Sequence, residues 1–450
     1  MLSAFTNSFK IPELRQRILF TFGLIAICRV IAAIPTPGVD AVALRELLKH
    51  VHASAGGSFL GLFDLFTGGA IEQCAIGALG IMPSISASII LQLLTAVVPS
   101  LERLAREGDA GRQQIIQYGR YLTVFLCLVQ GYAWSVMLEH PEGLLGIHAD
   151  IVHNPGWSFR LMTVLTMTTG TMLLMWLGEQ ITDRGIGNGI SLIITISIVS
   201  RLPTAFRQAA NMFRAPEGGV AQFSIIHAVF LFAMLFAVIA AVVALTQAQR
   251  RIPVQYAKRV IGRKVYGGQS TYMPLRVNYS GVMPIIFAQA ILMFPSKIFG
   301  MIKTDFFQSL AHALYIGTPL YVTLYALMIL FFSYFWVATQ FNPVQIADDL
   351  KKYGGYVPGI RPGTPTAEFL DRAMTRITLA GAVFLTVIAV LPQFMGQYFK
   401  IPWVVSSFFG GTSLLITVGV MLDTMRQVES QLIMRHYDGF LTKGKLRSRR

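Results

Sequence analysis

Charge is scarce in this chain. Of its 450 residues only 13% are Asp, Glu, Lys or Arg, about half the ~25% usual in soluble proteins. Hydrophobic residues make up 54% and the mean hydropathy is +0.58. Over this length such a composition excludes a soluble multidomain protein, and lipid must be the solvent for most of the apolar surface. Cysteine is scarce as well: Cys28, Cys74 and Cys127 lie in or beside apolar runs, with no C-x-x-C spacing and no disulfide framework. No carboxylate pair is spaced for acid/base work and no Ser–His or Cys–His pairing stands out, so nothing points to an enzyme, a metal site or a cofactor. Gly185-Ile-Gly-Asn-Gly189 has the glycines of a phosphate loop, but it opens a membrane span instead of following a strand and reads as a tight turn.

What is there is a series of apolar runs of membrane-spanning length. They cover Ile18–Ile34, an interrupted stretch Ser58–Val98, Tyr121–Leu138, Leu161–Leu177, Gly189–Val199, Phe223–Leu245, Val282–Ile298, Leu320–Phe341, Ile377–Phe394 and Val404–Met421. The polar N-terminus has no small-residue cleavage site after the first run, which therefore reads as a retained span. Taking Ser58–Val98 as one crossing with a broken or re-entrant piece gives ten spans. The segments on the side of both termini then carry 27 Lys and Arg, and those opposite carry eight, counting Lys297 with the loop it borders. Basic residues concentrate in cytoplasmic loops, so both termini are expected in the cytoplasm.

The largest loop, Thr246–Gly281, holds seven basic residues and no acidic one. Orientation accounts for part of that charge. The excess suits a docking surface for an anionic partner, such as ribosomal RNA or an acidic protein face. In the next cytoplasmic loop, YVPGIRPGTP around Arg361 reads as an ordered turn.

Residues 80–90, GIMPSISASII, and 281–291, GVMPIIFAQAI, agree at six of eleven positions. Each copy sits in the second span of a five-span half. Five is odd, so the second half enters the membrane inverted, the logic of a repeat whose pathway lies between the halves. The expected organisation is 1–203, an external hinge loop 204–222, 223–423 and a cytoplasmic tail 424–450. An ion-coupled transporter would place charge at the bilayer midplane, where this chain has little; Arg29 reads as structural. Asp64 and Glu72 flank Gly68-Gly69 in the interrupted stretch, where irregular backbone is tolerated only against protein or a cavity. The pathway offers isoleucine instead. Ile81 and Ile85 share a helix face, as do Ile190 and Ile194, and with Ile286 and Ile416 they would form an apolar ring that gates by dewetting. Ordinary packing gives the same spacing.

The runs ALGIMPSISASIILQLLT, MWLGEQITDRGIGNGIS, FNPVQIADDLKKYGGYVPGIRPGTPT and GGTSLLI, with IPTPGVD and QRRIPVQYAKRVIGRKVYGGQSTYMPLRVN, resemble the bacterial SecY family over nearly the whole chain. The resemblance implies an all-α integral membrane protein of ten helices in two inverted pseudo-symmetric halves with a re-entrant plug helix. It implies a passive channel that passes unfolded secretory polypeptides across the plasma (inner) membrane and releases hydrophobic segments into lipid. The alternative is an inverted-repeat secondary transporter of a small solute. The family's pore ring falls on Ile81, Ile85, Ile190, Ile194, Ile286 and Ile416, and its plug on about 59–69, with Phe59, Leu60, Phe63, Asp64, Phe66, Gly68 and Gly69. Ser86, Gln92 and Gln289 would face the lateral gate, although Gln289 is not a motif match. Arg250, Arg251, Lys258 and Arg259 match the loop that contacts the ribosome and the SecA motor ATPase, and Arg361 the arginine needed for coupling to SecA. The implied partners are SecE, SecG, SecA, the ribosome, signal-bearing preproteins and the lipid bilayer. The outer loop Arg201–Ala221 and the basic tail match no pattern.

Overall fold

The computed structural model describes residues 11–46, 64, 66–141, 151–213, 225–256, 259–261, 264–266, 270–301, 304–314, 317–398, 401, 405–406, 408 and 412–443. The chain divides into two compact units, Met1–Arg207 with Val420–Arg450, and Gln208–Gly419. The first contains α1 (Pro12–Ile31), α2 (Met82–Val97), α3 (Pro99–Arg106), α4 (Asp109–Glu139), α5 (Trp157–Arg184) and α6 (Gly189–Ser200). Then follow α7 (Leu202–Met212), α8 (Ile225–Gln247) and strands β1 (Gln249–Tyr256), β2 (Arg259–Ile261), β3 (Lys264–Tyr266) and β4 (Ser270–Arg276). The rest is α9 (Met283–Met301), α10 (Asp305–Ala313), α11 (Pro319–Gln340), α12 (Pro343–Lys352), β5 (Gly355–Tyr356), α13 (Thr364–Tyr398) and α14 (Thr412–Lys443).

Each of the ten apolar runs falls on one of these helices: α1, α2, α4, α5, α6, α8, α9, α11, α13 and α14. Among the described residues six spans are long and apolar enough to cross a membrane, or seven if α2 and α3 form one broken span. The starts follow elementary capping rules. Pro12, Pro83, Pro99, Pro319 and Pro343 stand in first turns, where a missing N–H costs nothing. The Asn188, Thr318 and Asn342 side chains accept from the backbone N–H groups of Ser191, Tyr321 and Gln345, satisfying donors that a helix start leaves orphaned. Val98 takes the extended backbone that a following proline imposes, ψ 114°, and α2 ends there. Inside the spans, Thr166, Thr169, Ser333 and Thr386 turn their hydroxyls onto carbonyls one turn back, at 2.7–2.8 Å, which hides these donors from lipid.

Small residues set the closest approaches in the first unit. A Cβ at Gly170 on α5 would overlap the Ile76 carbonyl, and one at Gly189 would overlap the carbonyl of Gly178. Backbones this close need glycine. Gly170→Ala is expected to cost ~1–3 kcal/mol and lower the midpoint of thermal unfolding in detergent by several degrees. Gly23→Ala, where nothing lies within 4 Å of the new Cβ, should leave the midpoint in place. Equal midpoints for the two variants would refute the packing argument.

The predicted turn at 185–189 is held from two sides of the same unit. Ile186 N donates to Thr21 Oγ1 at 3.1 Å and Gly187 N to Gln427 Oε1 at 3.0 Å, while Leu14, Ile18, Ile186 and Val428 form a buried cluster. The expected loop at 204–222 begins instead as α7. Ala205 and Ala209 are buried one turn apart, a helical spacing already present in LPTAFRQAANM.

In the second unit β1 pairs antiparallel with β4, Ile252 opposite Met273, and with β5, Gln255 opposite Tyr356. The sheet therefore joins the two largest cytoplasmic loops of the sequence reading. Ile252, Leu275 and Val357 pack with Val337 of α11, with Phe341 just past its end and with Leu370, Met374 and Ile377 of α13.

Candidate functional site

The two copies of the repeated motif share a backbone conformation. Gly80 has φ +58° and Gly281 φ +62°, the left-handed region that favours glycine. In each copy a Met-Pro pair then starts a helix, α2 at Met82 and α9 at Met283. The glycine turns the chain and the proline opens the helix, so Ile85 and Ile286 emerge at equivalent positions one turn in.

In the first unit Ile81, Ile85 and Ile194 line one cavity, together with Ile193, Arg29, Phe66, Thr67 and Ser197. The three isoleucines are 4–7% exposed. The start of α2 and the middle of α6 thus bring three of the predicted ring residues to one cavity. Ile190 is half-buried one turn earlier on α6, with its side chain against Gly178 of α5, outside that cavity lining. Ile286 and Ile416 are buried in the second unit, 4% and 3% exposed.

Of the residues expected to form a plug, Phe59, Leu60 and Phe63 lie outside the described residues; Asp64, Phe66, Gly68 and Gly69 do not. Residues 66–69 close a turn on Asp64, whose carbonyl accepts from Thr67 Oγ1 at 3.3 Å and Gly69 N at 3.2 Å. Gly68 and Gly69 have φ +66° and +96°, and a Cβ at Gly68 would collide with Arg29 and sit 2.8 Å from Ser197 Cα. Two glycines are required here by conformation and by space together. Arg29 Nη2 donates to the Gly68 carbonyl at 2.9 Å; the residue read as structural reaches inward to hold this turn. From the other side Arg201, just past α6, pairs with Asp64 and, at 3.0 Å, with Glu72. Sequence reasoning left Arg201 unassigned, because its partners lie more than 120 residues away.

Ser86 is half-buried and Gln92 exposed on α2. Gln289 is half-buried on α9 and approaches the buried hydroxyl of Tyr325 on α11. Arg250 and Arg251 are exposed on β1, Arg259 opens β2, and Lys258 lies outside the described residues. Arg361 is exposed on a turn held by Thr366 Oγ1 bonding to its carbonyl at 2.8 Å and by Ile360 N bonding to Val357 O at 3.1 Å. The expected ordered turn is there. Among the described residues no cluster of three metal-ligating side chains exists.

The SecY family profile matches residues 75–425, and the protein translocase subunit SecY of Thermotoga maritima is 42% identical over all of both chains. The chain belongs to the SecY family. The Escherichia coli K12 SecY subunit is 45% identical over 97% of this chain and 95% of its own length. A solved protein-conducting channel shares the SecY-type fold at TM-score 0.61, with 18% identity over 93% of this chain and 92% of that one. Sec61 in the canine ribosome–channel complex from the endoplasmic reticulum matches at TM-score 0.56, with 17% identity and the same coverage.

Proposed function

We propose that this chain is the protein-conducting channel of a bacterial secretion translocase. Unfolded polypeptide passes through it, and hydrophobic segments leave it sideways into lipid. The observation that carries this reading is the full-length likeness to translocase SecY subunits, and the apolar cavity wall of Ile81, Ile85 and Ile194 suits it. A small-solute transporter finds no counterpart among these relatives. The channel performs no bond chemistry; work comes from a partner ATPase, an elongating ribosome or the proton-motive force.

In this reading the six isoleucines form the constriction, residues 59–69 the plug, and Ser86, Gln92 and Gln289 face the lateral gate. The five-span halves 1–203 and 223–423 hinge about 204–222, and 424–450 is a cytoplasmic tail. SecE and SecG accompany the chain in the inner membrane with both termini in the cytoplasm, and SecA or the ribosome docks on Arg250, Arg251, Lys258, Arg259 and Arg361. A signal helix opens the channel only through binding the open gate better than the closed one.

The test is a photoreactive residue at Ile85 or Ile286, with a stalled nascent secretory chain as bait. Crosslinks that require a signal-bearing chain support the constriction. Their absence in a folded channel with its partners present refutes the assignment.

A further inference from the structure

We propose that Arg201 is a positioning residue for the resting channel: its ion pairs with Asp64 and Glu72, together with the Arg29 and Ser200 bonds to Gly68, latch the end of the plug segment shut. The inference rests on the channel reading above and goes beyond it by naming what holds the seal.

Three elements of the first unit meet at this corner. The Asp64–Gly69 turn ends in two left-handed glycines. The end of α1 supplies Arg29, which donates to the Gly68 carbonyl. The end of α6 supplies Ser200, whose hydroxyl reaches the same carbonyl at 3.3 Å, and then Arg201. Asp64 and Arg201 side chains are 8% and 12% exposed, and Glu72 is 29% exposed. Asp64 Oδ1 and Arg201 Nε and Nη2 make no hydrogen bond among the described residues, so the charges depend on their ion pairing alone. Buried charges so placed are tolerated while paired and strongly unfavourable when one partner is lost.

The arrangement is also lopsided. Arg29 and Arg45 both act on Arg201 as like charges, so the Asp64 and Glu72 carboxylates hold Arg201 in place against that repulsion. A segment fixed through charge and through one shared carbonyl is bistable: it stays while both carboxylates are matched and leaves as a unit when they are not. Arg201 continues directly from the helix that carries Ile194. A polypeptide that parts the ring at Ile194 therefore shifts the latch through one rigid element, which couples entry of the chain to release of the plug.

The experiment measures resting ion conductance of the full-length chain, co-assembled with SecE and SecG, in planar bilayers, with translocation of a signal-bearing preprotein as the companion assay. Asp64→Asn should raise the resting conductance most, about ten- to hundredfold, because it takes the buried carboxylate from Arg201, which Arg29 and Arg45 already oppose as like charges. Arg201→Gln should raise it less, and Glu72→Gln least, in line with its exposure. Arg201→Lys should stay near wild type, and the double variant Asp64→Asn/Arg201→Gln should leak less than Asp64→Asn alone, since it also removes the cation that Asp64→Asn deprives of its buried carboxylate. Asp64→Asn is isosteric and serves if Arg201→Gln does not fold. Single variants that translocate normally and seal as wild type overturn the latch and leave the channel reading standing. A wild-type complex that seals but passes no preprotein overturns both.

Discussion

Asparagine in place of Ile81, Ile85 or Ile194 will open the resting channel to ions. All three side chains line one cavity of the first unit, and each is less than a tenth exposed. A narrow apolar wall excludes ions because water has nothing there to bond to, and an ion cannot enter without its water. One amide breaks that wall by giving water two donors and an acceptor. A single substitution should raise resting conductance severalfold, and Ile81→Asn with Ile194→Asn together about tenfold or more, with single-channel recording as the measurement. Isoleucine to valine keeps the surface apolar and should change little. This leak differs in kind from one caused by a broken latch, because no compensating charge pair at Asp64 and Arg201 restores the seal. A folded triple asparagine variant that stays sealed would remove these residues from the constriction.

Much of this architecture was legible in the sequence because the bilayer imposes one simple rule on it. Spans must be long, apolar and helical, so all ten runs land on helices even where boundaries move: α4 starts at Asp109, twelve residues before its apolar run. The repeat was legible because Gly-x-Met-Pro is both a sequence signal and a backbone instruction, and Gly80 and Gly281 adopt the same left-handed turn. The basic loop is legible through its charge and its family motif, not through its strands. The strand in it, QRRIPVQY, carries a period of two that buries Ile252 and Val254 and exposes Arg251, Pro253 and Gln255, and its pairing with the next loop follows from tertiary contact that no local pattern announces. Arg201 was illegible for the same reason. Asp64 and Glu72 stood out as carboxylates beside a glycine pair, but their cation comes from the far end of another span, and ion pairs across such separations leave no spacing to read.

Reversing charge on the β1–β5 sheet should weaken docking while leaving the resting seal intact. β1 buries Ile252 and Val254 against α11 and α13 and turns Arg251 to solvent, with Arg250 exposed at its start. β5 joins the second loop to this strand, and Tyr356 adds a side-chain bond to Gln255 at 3.1 Å. Beyond β5 the Val357–Thr366 turn presents Arg361 outward, with Gly359 and Gly363 at positive φ. Because all three arginines are exposed, Arg250→Glu, Arg251→Glu and Arg361→Glu should each change stability by no more than about 0.5 kcal/mol. On the proposed function their effect belongs to the encounter with an anionic partner. Each reversed contact replaces an attraction with a repulsion, and contacts to RNA phosphates weaken steeply with salt. Arg250→Glu with Arg251→Glu should lower ribosome binding by at least about tenfold near 50 mM salt, and the difference from wild type should narrow by about 200 mM as screening grows. Co-sedimentation of ribosomes with proteoliposomes reads both effects. Arg361→Glu, on a separate turn, should instead suppress motor-driven translocation, read as preprotein protected inside vesicles. Ribosome binding by the double variant at wild-type strength in low salt would show that the excess charge of this loop serves orientation alone.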